Sequence, residues 1–175
     1  HRGQCYMLGR RLIERGVRFV TVDVREPMTK KTPGGFNMNW DHHDLMYNEG
    51  SCGTIRNKAG GEGRYGIAHW VMMGSTDQAF SALIADMDER GLLAETLVAF
   101  VTEFGRTPRL NKFQGRDHWT KAYSIALAGA GVPGGQVLGS SDRDGGYVQS
   151  RPTTPDDYAA TVYEKLGFDR TKPIY

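Results

Sequence analysis

The chain has 175 residues, of which 39% are hydrophobic and 24% charged, and its formal net charge is +2. This composition is typical of a globular domain with one hydrophobic core. The charge is small and no aromatic residues interleave with the arginines near the start, so we do not expect nucleic acid as a partner. No apolar run reaches the roughly 18 residues of a membrane-spanning helix, so we expect no membrane span.

The first residues predict a helix that contains Tyr6 and ends at Gly16. Because the helical pattern is already under way at His1, without an initiator Met or a signal peptide, we expect the N-terminal portion of the domain to be missing from this chain. Cys5 and Cys52 are far apart and form no Cys-x-x-Cys pattern, so free thiols are favoured over zinc ligands. Their disulfide status is left open.

Three apolar segments predict the strands of a mostly parallel central sheet. Residues 17–24 are rich in β-branched side chains, and residues 96–102 and 122–130 are short apolar runs that end at Gly or polar positions. Between the first two segments, residues 75–90 predict a helix with a capping box formed by Ser75 and Gln78. A strand, a helix and a second strand in this order predict a right-handed parallel βαβ unit.

Other segments complete a single α/β domain over residues 1–175. Residues 48–74 are rich in glycine and predict a loop excursion; the G-x-G-x-x-G match within it, at residues 61–66, follows no strand and is rejected as a dinucleotide site. A short strand is predicted at residues 136–138. A last helix is predicted with Thr154 as the N-cap and Pro155 at its first position.

Side chains able to bind metal or move protons follow the predicted strands at their carboxyl ends, where ligands bind in open α/β sheets. They are Asp41, His42, His43, Asp44, Glu103, Arg106, Asp117 and His118. Mixed carboxylate and imidazole ligands suit divalent zinc, manganese or iron in preference to calcium or magnesium. A Lewis-acid metal polarises a phosphoryl or sulfuryl oxygen, and Arg106 could clamp the anion, so the set is coherent for ester hydrolysis.

Simpler roles are open for several of these residues. Asp117 could cap a turn, and Arg106 could pair with Glu103 as a structural salt bridge. His42 and His43 are adjacent, and in an extended loop their side chains point in opposite directions, so we expect only one of them to be a ligand.

Several segments carry a resemblance to a known family. They are LIERGVRFVTV, the Trp-Asp-x-His string at residues 40–43, ALIADMDERGLLAETLVAFVTEFGRTPRLN, GRDHW, LAGAGVPGGQVLGSSD and RPTTPDDYAATVYEKLG. They resemble the domain-of-unknown-function 1501 family of exported bacterial proteins, which belongs with the alkaline phosphatase and sulfatase superfamily. The resemblance implies an alkaline-phosphatase-like α/β/α sandwich with a metal site at one edge.

The resemblance also implies roles for individual residues. By position, Glu103 takes the place of a ligating Asp, and His118 corresponds to a later His ligand. Asp41 and His43 correspond to an earlier pair that completes a second metal site. Arg106 is the candidate catalytic anion clamp, while His42 and Asp117 are further possible ligands.

Two positions depart from the pattern, and one role has no residue here. Phe104 stands where the superfamily has a ligating His, which brings a full two-zinc site into question, and His42 stands where the family has Thr. In the superfamily the nucleophile lies at the end of the domain's first strand, which the resemblance places upstream of this chain, so no nucleophile is assigned.

These observations lead to two functional hypotheses. The first is a metal-dependent hydrolase of phosphate or sulfate esters, with a small-molecule or glycan ester as substrate. The alternative is a catalytically degenerate protein that binds glycans, sulfated polysaccharide or a protein partner. The family's export signals imply a periplasmic or extracellular location. The substrate, the number of metals and the oligomeric state are left undetermined by the sequence.

Overall fold

A computed structural model of the chain describes residues 2–24, 43, 73–169 and 171–172. The elements within these ranges are mixed α/β. They are α1 (Arg2–Glu14), α2 (Met73–Glu89), a short 3-10 helix (Leu92–Ala94), β1 (Val98–Phe100), β2 (Gly105–Arg106), β3 (His118–Trp119), β4 (Ala126–Ala128), β5 (Ser140–Ser141), β6 (Val148–Ser150) and α3 (Pro155–Lys165).

The chain divides into two compact units, which we describe separately. The first unit comprises residues 1–89 and 109–118, and the second comprises residues 90–108 and 119–175. The prediction of a single domain over residues 1–175 stays a prediction. No helix in the described ranges is long and apolar enough to cross a membrane.

The core of the first unit is the contact between α1 and α2. Tyr6 and Met87 are buried, and the ring of Tyr6 meets that of Phe80 edge-on at a centroid distance of 5.9 Å. Beside this apolar contact, Arg10 Nε lies 2.8 Å from Asp86 Oδ2 across the two helices. Residues four apart share one face of a helix, which is why α1 buries Arg2, Tyr6 and Arg10 together.

The strand predicted at residues 17–24 is not formed. Val20, Val22 and Val24 are half-buried while the residues between them are exposed, so the segment keeps the alternation of a strand. Val22 lies so close to Gly9 that a Cβ on that glycine would be 2.9 Å from Val22 Cγ2. The segment thus packs on α1 but has no neighbouring strand among the described residues to complete a ladder.

Both helices predicted in the first unit are confirmed, with a correction at the start of α2. Gly16, with a φ of 85°, follows α1 in the left-handed conformation that commonly terminates helices. The second helix begins at Met73, so Ser75 lies inside it rather than capping it. The Ser75 hydroxyl instead accepts a hydrogen bond of 3.0 Å from Arg2 Nη1.

The second unit contains antiparallel strand pairs. Strand β1 pairs with β4, with Val98 opposite Ala128, and β5 pairs with β6. Among the described residues this unit therefore differs from the mostly parallel sheet that was predicted, although the apolar segments at 96–102 and 122–130 do each contain a strand. The strand predicted at 136–138 is not formed, and β5 begins at Ser140 instead.

A close turn fixes the end of β4 against the chain that precedes β1. Gly129 has a φ of 83°, and the next amide, Ala130 N, donates a hydrogen bond of 2.9 Å to Leu93 O. A Cβ on Gly129 would lie 2.7 Å from that same Leu93 oxygen and would collide with Thr96 O. Only a residue without a side chain fits this position.

The last helix is confirmed with its predicted start. Thr154 is the N-cap of α3, its hydroxyl accepts a hydrogen bond from Asp157 N, and the Asp157 carboxylate binds Thr154 N in return. Pro155 occupies the first helical position. Of the Gly-rich excursion predicted at residues 48–74, Met73 and Gly74 begin α2, and the remainder lies outside the described residues.

Candidate functional site

The loop that leads to His118 is organised around the side chain of Asn111. Its Oδ1 accepts hydrogen bonds from Phe113 N at 2.9 Å and Gly115 N at 3.1 Å. The Asn111 backbone N–H also donates to Gly115 O at 2.9 Å. Such turns, in which an Asn side chain binds a backbone amide two residues on, form locally and need no partner elsewhere. Gln114, with a φ of 59°, supplies the left-handed residue of the turn.

The other end of the same amide joins two segments of the first unit. Asn111 Nδ2 donates hydrogen bonds to His43 O at 2.7 Å and to Asp117 Oδ1 at 2.9 Å. The bond to His43 O holds the backbone of one candidate histidine. The bond to Asp117 holds the residue directly before the other candidate, His118.

The imidazole rings of His43 and His118 lie side by side. Their centroids are 4.5 Å apart and the rings are tilted by 46°. Two imidazoles bound to one zinc ion through bonds of roughly 2 Å would have their centroids about 5 Å apart. An aromatic contact without metal has a similar spacing. His43 is half-buried and His118 is exposed, so solvent and solutes reach the pair.

The donor set in the described residues is partial. Two imidazoles suit a borderline divalent metal such as zinc, but a structural or catalytic zinc site takes at least three protein ligands. Within the described ranges, no group of three or more His, Cys, Asp or Glu side chains is placed to hold a metal ion. The predicted ligand Asp41 and the possible ligand His42 lie outside those ranges. The described residues therefore fit part of a metal site, and any further ligand must come from elsewhere.

The carboxylate of Asp117 has a structural role in this arrangement. It accepts the bond from Asn111 Nδ2, consistent with the simpler reading in which this aspartate stabilises a turn. The side chain is exposed. Its possible role as a ligand stays a prediction.

In the second unit, Glu103 and Arg106 form a salt bridge. Arg106 Nη2 lies 3.0 Å from Glu103 Oε1, and the exposed fractions of the two side chains are 18% for Arg106 and 54% for Glu103. This is the structural pairing that the sequence left open. A metal ion would have to compete with the Arg106 guanidinium for the Glu103 carboxylate. The roles of Glu103 as a metal ligand and of Arg106 as an anion clamp stay predictions.

The turn that carries this salt bridge has no room for a side chain at Gly105. A Cβ there would collide with Ala122 O, a backbone atom of the same unit. The glycine in the Glu-Phe-Gly-Arg string is thus required by close backbone packing. Its place in the string is explained without any ligand.

Trp119, the residue after His118, is anchored within the second unit. Its indole Nε1 donates a hydrogen bond of 2.5 Å to Gly146 O, and its ring meets Tyr147 edge-on at 5.5 Å. Asp142 closes the same turn by accepting a bond of 2.7 Å from Gly146 N. The hairpin between β5 and β6 therefore holds this tryptophan in place.

The residue that the sequence reasoning missed is Asn111. Its signal was a local one: an Asn at the start of a short loop, four residues before Gly115 and six before Asp117. That spacing is typical of a side-chain-stabilised turn. It does not reveal that the free end of the amide reaches His43, which is distant in sequence.

Comparison with known proteins identifies a family. A family model described as "Protein of unknown function (DUF1501)" matches residues 1–175. No curated protein and no solved structure is significantly similar to the chain. The match includes the Asn111 loop and both histidines.

Proposed function

This chain belongs to the DUF1501 family, and we propose that it is a metal-dependent hydrolase of phosphate or sulfate esters related to the alkaline phosphatase and sulfatase superfamily. The proposal includes that superfamily's sandwich fold with a mostly parallel sheet. It places the protein in the periplasm or outside the cell, and its substrate is a small-molecule or glycan ester.

The observation that carries the proposal is the proximity of His43 and His118. The two residues are 75 positions apart in sequence, yet their rings are neighbours with a centroid separation of 4.5 Å. Both were candidate ligands from the sequence, because of their residue type, their place after predicted strands and the resemblance to the superfamily. A shared location is what a common metal requires, and imidazole is the commonest metal ligand in proteins.

In the proposed site, His43 and His118 hold a divalent zinc, manganese or iron ion, with Asp41 as a further ligand. When bound, the metal supplies Lewis acidity toward the ester oxygen. The histidines must be neutral to bind it, so acidification releases the metal. The roles predicted for Glu103 and Arg106 stay predictions, and the proposal rests on the first unit alone.

The test is the metal content of the purified protein and of His118→Ala, measured by plasma mass spectrometry after equilibration with zinc. We expect close to one equivalent of zinc, manganese or iron in the wild type and a loss of most of it in the variant, because one of the few ligands is removed. Lys112→Ala is the matched control, since this exposed side chain lies in the same loop, with its Nζ 4.9 Å from the centroid of the Phe113 ring.

Circular dichroism of the three proteins establishes that each is folded. Equal metal content in the wild type and His118→Ala would contradict the proposed ligand. With metal established, hydrolysis of p-nitrophenyl phosphate and p-nitrophenyl sulfate, with and without a chelator, distinguishes the two ester classes.

A second function is favoured by a different observation. The Glu103 carboxylate is paired with Arg106, and Phe104 stands where the resembling superfamily has a His ligand. Both features suit a degenerate member that binds a glycan, a sulfated polysaccharide or a protein partner without turnover. A wild type that takes up no metal after reconstitution would favour this function over the first.

A further inference from the structure

We infer that Asn111 is a positioning residue that holds His43 and His118 together as a pair of metal ligands. The inference rests on the proposed function, because it gives the pair its role. It is carried by the contacts of one side chain with both segments of the site.

The amide of Asn111 uses both of its ends. On the acceptor side, Oδ1 is bound by Phe113 N and Gly115 N, at 2.9 Å and 3.1 Å. These two bonds fix the amide plane against its own loop. The donor side is thereby directed at the rest of the site.

On the donor side, Nδ2 binds His43 O at 2.7 Å and Asp117 Oδ1 at 2.9 Å. The first bond restrains the backbone from which one imidazole projects. The second restrains the residue that is covalently joined to His118. The NH₂ group of an Asn offers two hydrogens, and this arrangement uses both.

Only an amide of this length satisfies all four contacts. Aspartate at position 111 would keep the two accepted bonds, but it has no hydrogen to donate at neutral pH. Its carboxylate would also face the Asp117 carboxylate and the His43 carbonyl oxygen, and like charges at hydrogen-bond distance repel. Serine or alanine would lose the reach to both partners.

This difference separates a positioning role from a purely local one. If Asn111 serves only its turn, then Asn111→Asp retains the bonds from Phe113 N and Gly115 N and leaves the site intact. If Asn111 positions the histidines, the same variant disturbs them while the turn persists. Groups that orient metal ligands from behind typically contribute 10- to 100-fold in affinity.

The experiment is a zinc titration of the complete chain against a competing chelator, on wild type, Asn111→Asp and Lys112→Ala. We expect Asn111→Asp to bind zinc at least about tenfold more weakly than wild type, as for other lost supports of ligands. Lys112→Ala should bind like wild type, because the Lys112 side chain is exposed and its ammonium lies over the Phe113 ring. Equal zinc affinity in Asn111→Asp and wild type would overturn the inference.

A second measurement uses the metal-free protein. In NMR spectra, a nuclear Overhauser effect between the imidazole protons of His43 and His118 reports their proximity, and we expect it in wild type and its weakening in Asn111→Asp. If wild type binds no zinc, the proposed function fails at that point. The positioning role is then judged by this signal alone, and an unchanged signal in the variant would refute it.

A reversed hydrogen bond provides a rescue. In Asn111→Asp with Asp117→Asn, the amide at position 117 donates to the carboxylate at position 111, and the repulsion between two carboxylates is gone. We expect this double variant to recover part of the zinc affinity and of the signal between the rings. If Asn111→Asp alone does not fold, the double variant takes its place in the titration. A folded double variant that binds zinc no better than the Asn111→Asp chain, folded or unfolded, would count against the inference.

Discussion

Tyr6 is buried in the contact between α1 and α2, with an exposed fraction of 6%. Its hydroxyl has no hydrogen-bond partner among the described residues. Burial raises the pKa of the phenol, and the nearby Arg2 charge offsets this only in part. The ring stabilises the helix pair, whereas the hydroxyl costs free energy because it is removed from water without compensation.

Replacing Tyr6 with Phe should therefore stabilise the protein. We expect the free energy of unfolding to rise by about 1 kcal/mol, because the edge-on contact with Phe80 is kept and an unpaired buried hydroxyl is removed. Urea denaturation followed by circular dichroism measures the change. The control is Tyr123→Phe, since Tyr123 is exposed and this variant should leave the free energy of unfolding nearly unchanged. A loss of stability in Tyr6→Phe would contradict the prediction.

The same substitution has a signature at alkaline pH. The pKa of Tyr6 is raised in the folded state, so folding favours the neutral phenol. The free energy of unfolding is therefore unaffected by this group below the unfolded-state pKa of about 10, and it falls as the pH rises above that pKa. The variant lacks this loss, so the advantage of Tyr6→Phe should grow above that pH.

At the scale of elements, helices followed from the sequence more closely than strands, since two of the predicted strand segments contain a strand and those at 17–24 and 136–138 do not. Helix ends are specified locally, as by Gly16 after α1 and by Thr154 and Pro155 before α3, and these positions were predicted correctly. The segment 17–24 has strand composition, but a strand exists only when a partner supplies its hydrogen bonds. Composition also cannot choose between parallel and antiparallel partners, which is why the pairing of β1 with β4 was not foreseen.

The start of α3 gives a prediction about pH. Hydrogen bonds from the Thr154 hydroxyl and backbone N–H lower the pKa of Asp157, so folding favours its ionised form. This contribution is complete above the unfolded-state pKa of about 4 and is lost as the pH falls through the lower folded-state value.

We therefore expect the stability of wild type to fall more steeply below pH 4 than that of Asp157→Asn, which has no carboxylate to protonate. Denaturation midpoints measured from pH 2.5 to pH 7 test this. Asp156→Asn is the control, because Asp156 lies in the same turn but outside the capping box. Parallel pH profiles of wild type and Asp157→Asn would refute the role of the carboxylate.

At the scale of the whole molecule, the sequence indicated which histidines to consider as ligands, but not which residue hydrogen-bonds to the segments that carry them. The structure brings the rings of His43 and His118 together, and their role as ligands stays a prediction. Asn111 could not be found from the sequence, because its decisive bond to His43 O spans 68 positions in sequence. Asp41 and His42 lie outside the described ranges, so their roles stay predictions.

Zinc should stabilise the folded chain through the histidine pair. A ligand that binds only the folded state, at about 100 times its dissociation constant, adds about 2.7 kcal/mol. For a domain of this size, that raises Tm by about 5 to 10 °C. Differential scanning calorimetry with zinc and with a chelator measures the shift, which should vanish in the variant with His43→Ala and His118→Ala combined; an equal shift in that variant would show that zinc binds elsewhere.

The turn at Gly129 has a consequence for comparing related chains. Since the backbone oxygens of Leu93 and Thr96 occupy the space where a Cβ would stand, no exchange of side chains can adapt the position to another amino acid. In an alignment of relatives, this column is then expected to stay glycine wherever β1 and β4 keep their register, even where the strands themselves have diverged. A relative with a different residue there marks a lineage in which this part of the chain follows another path.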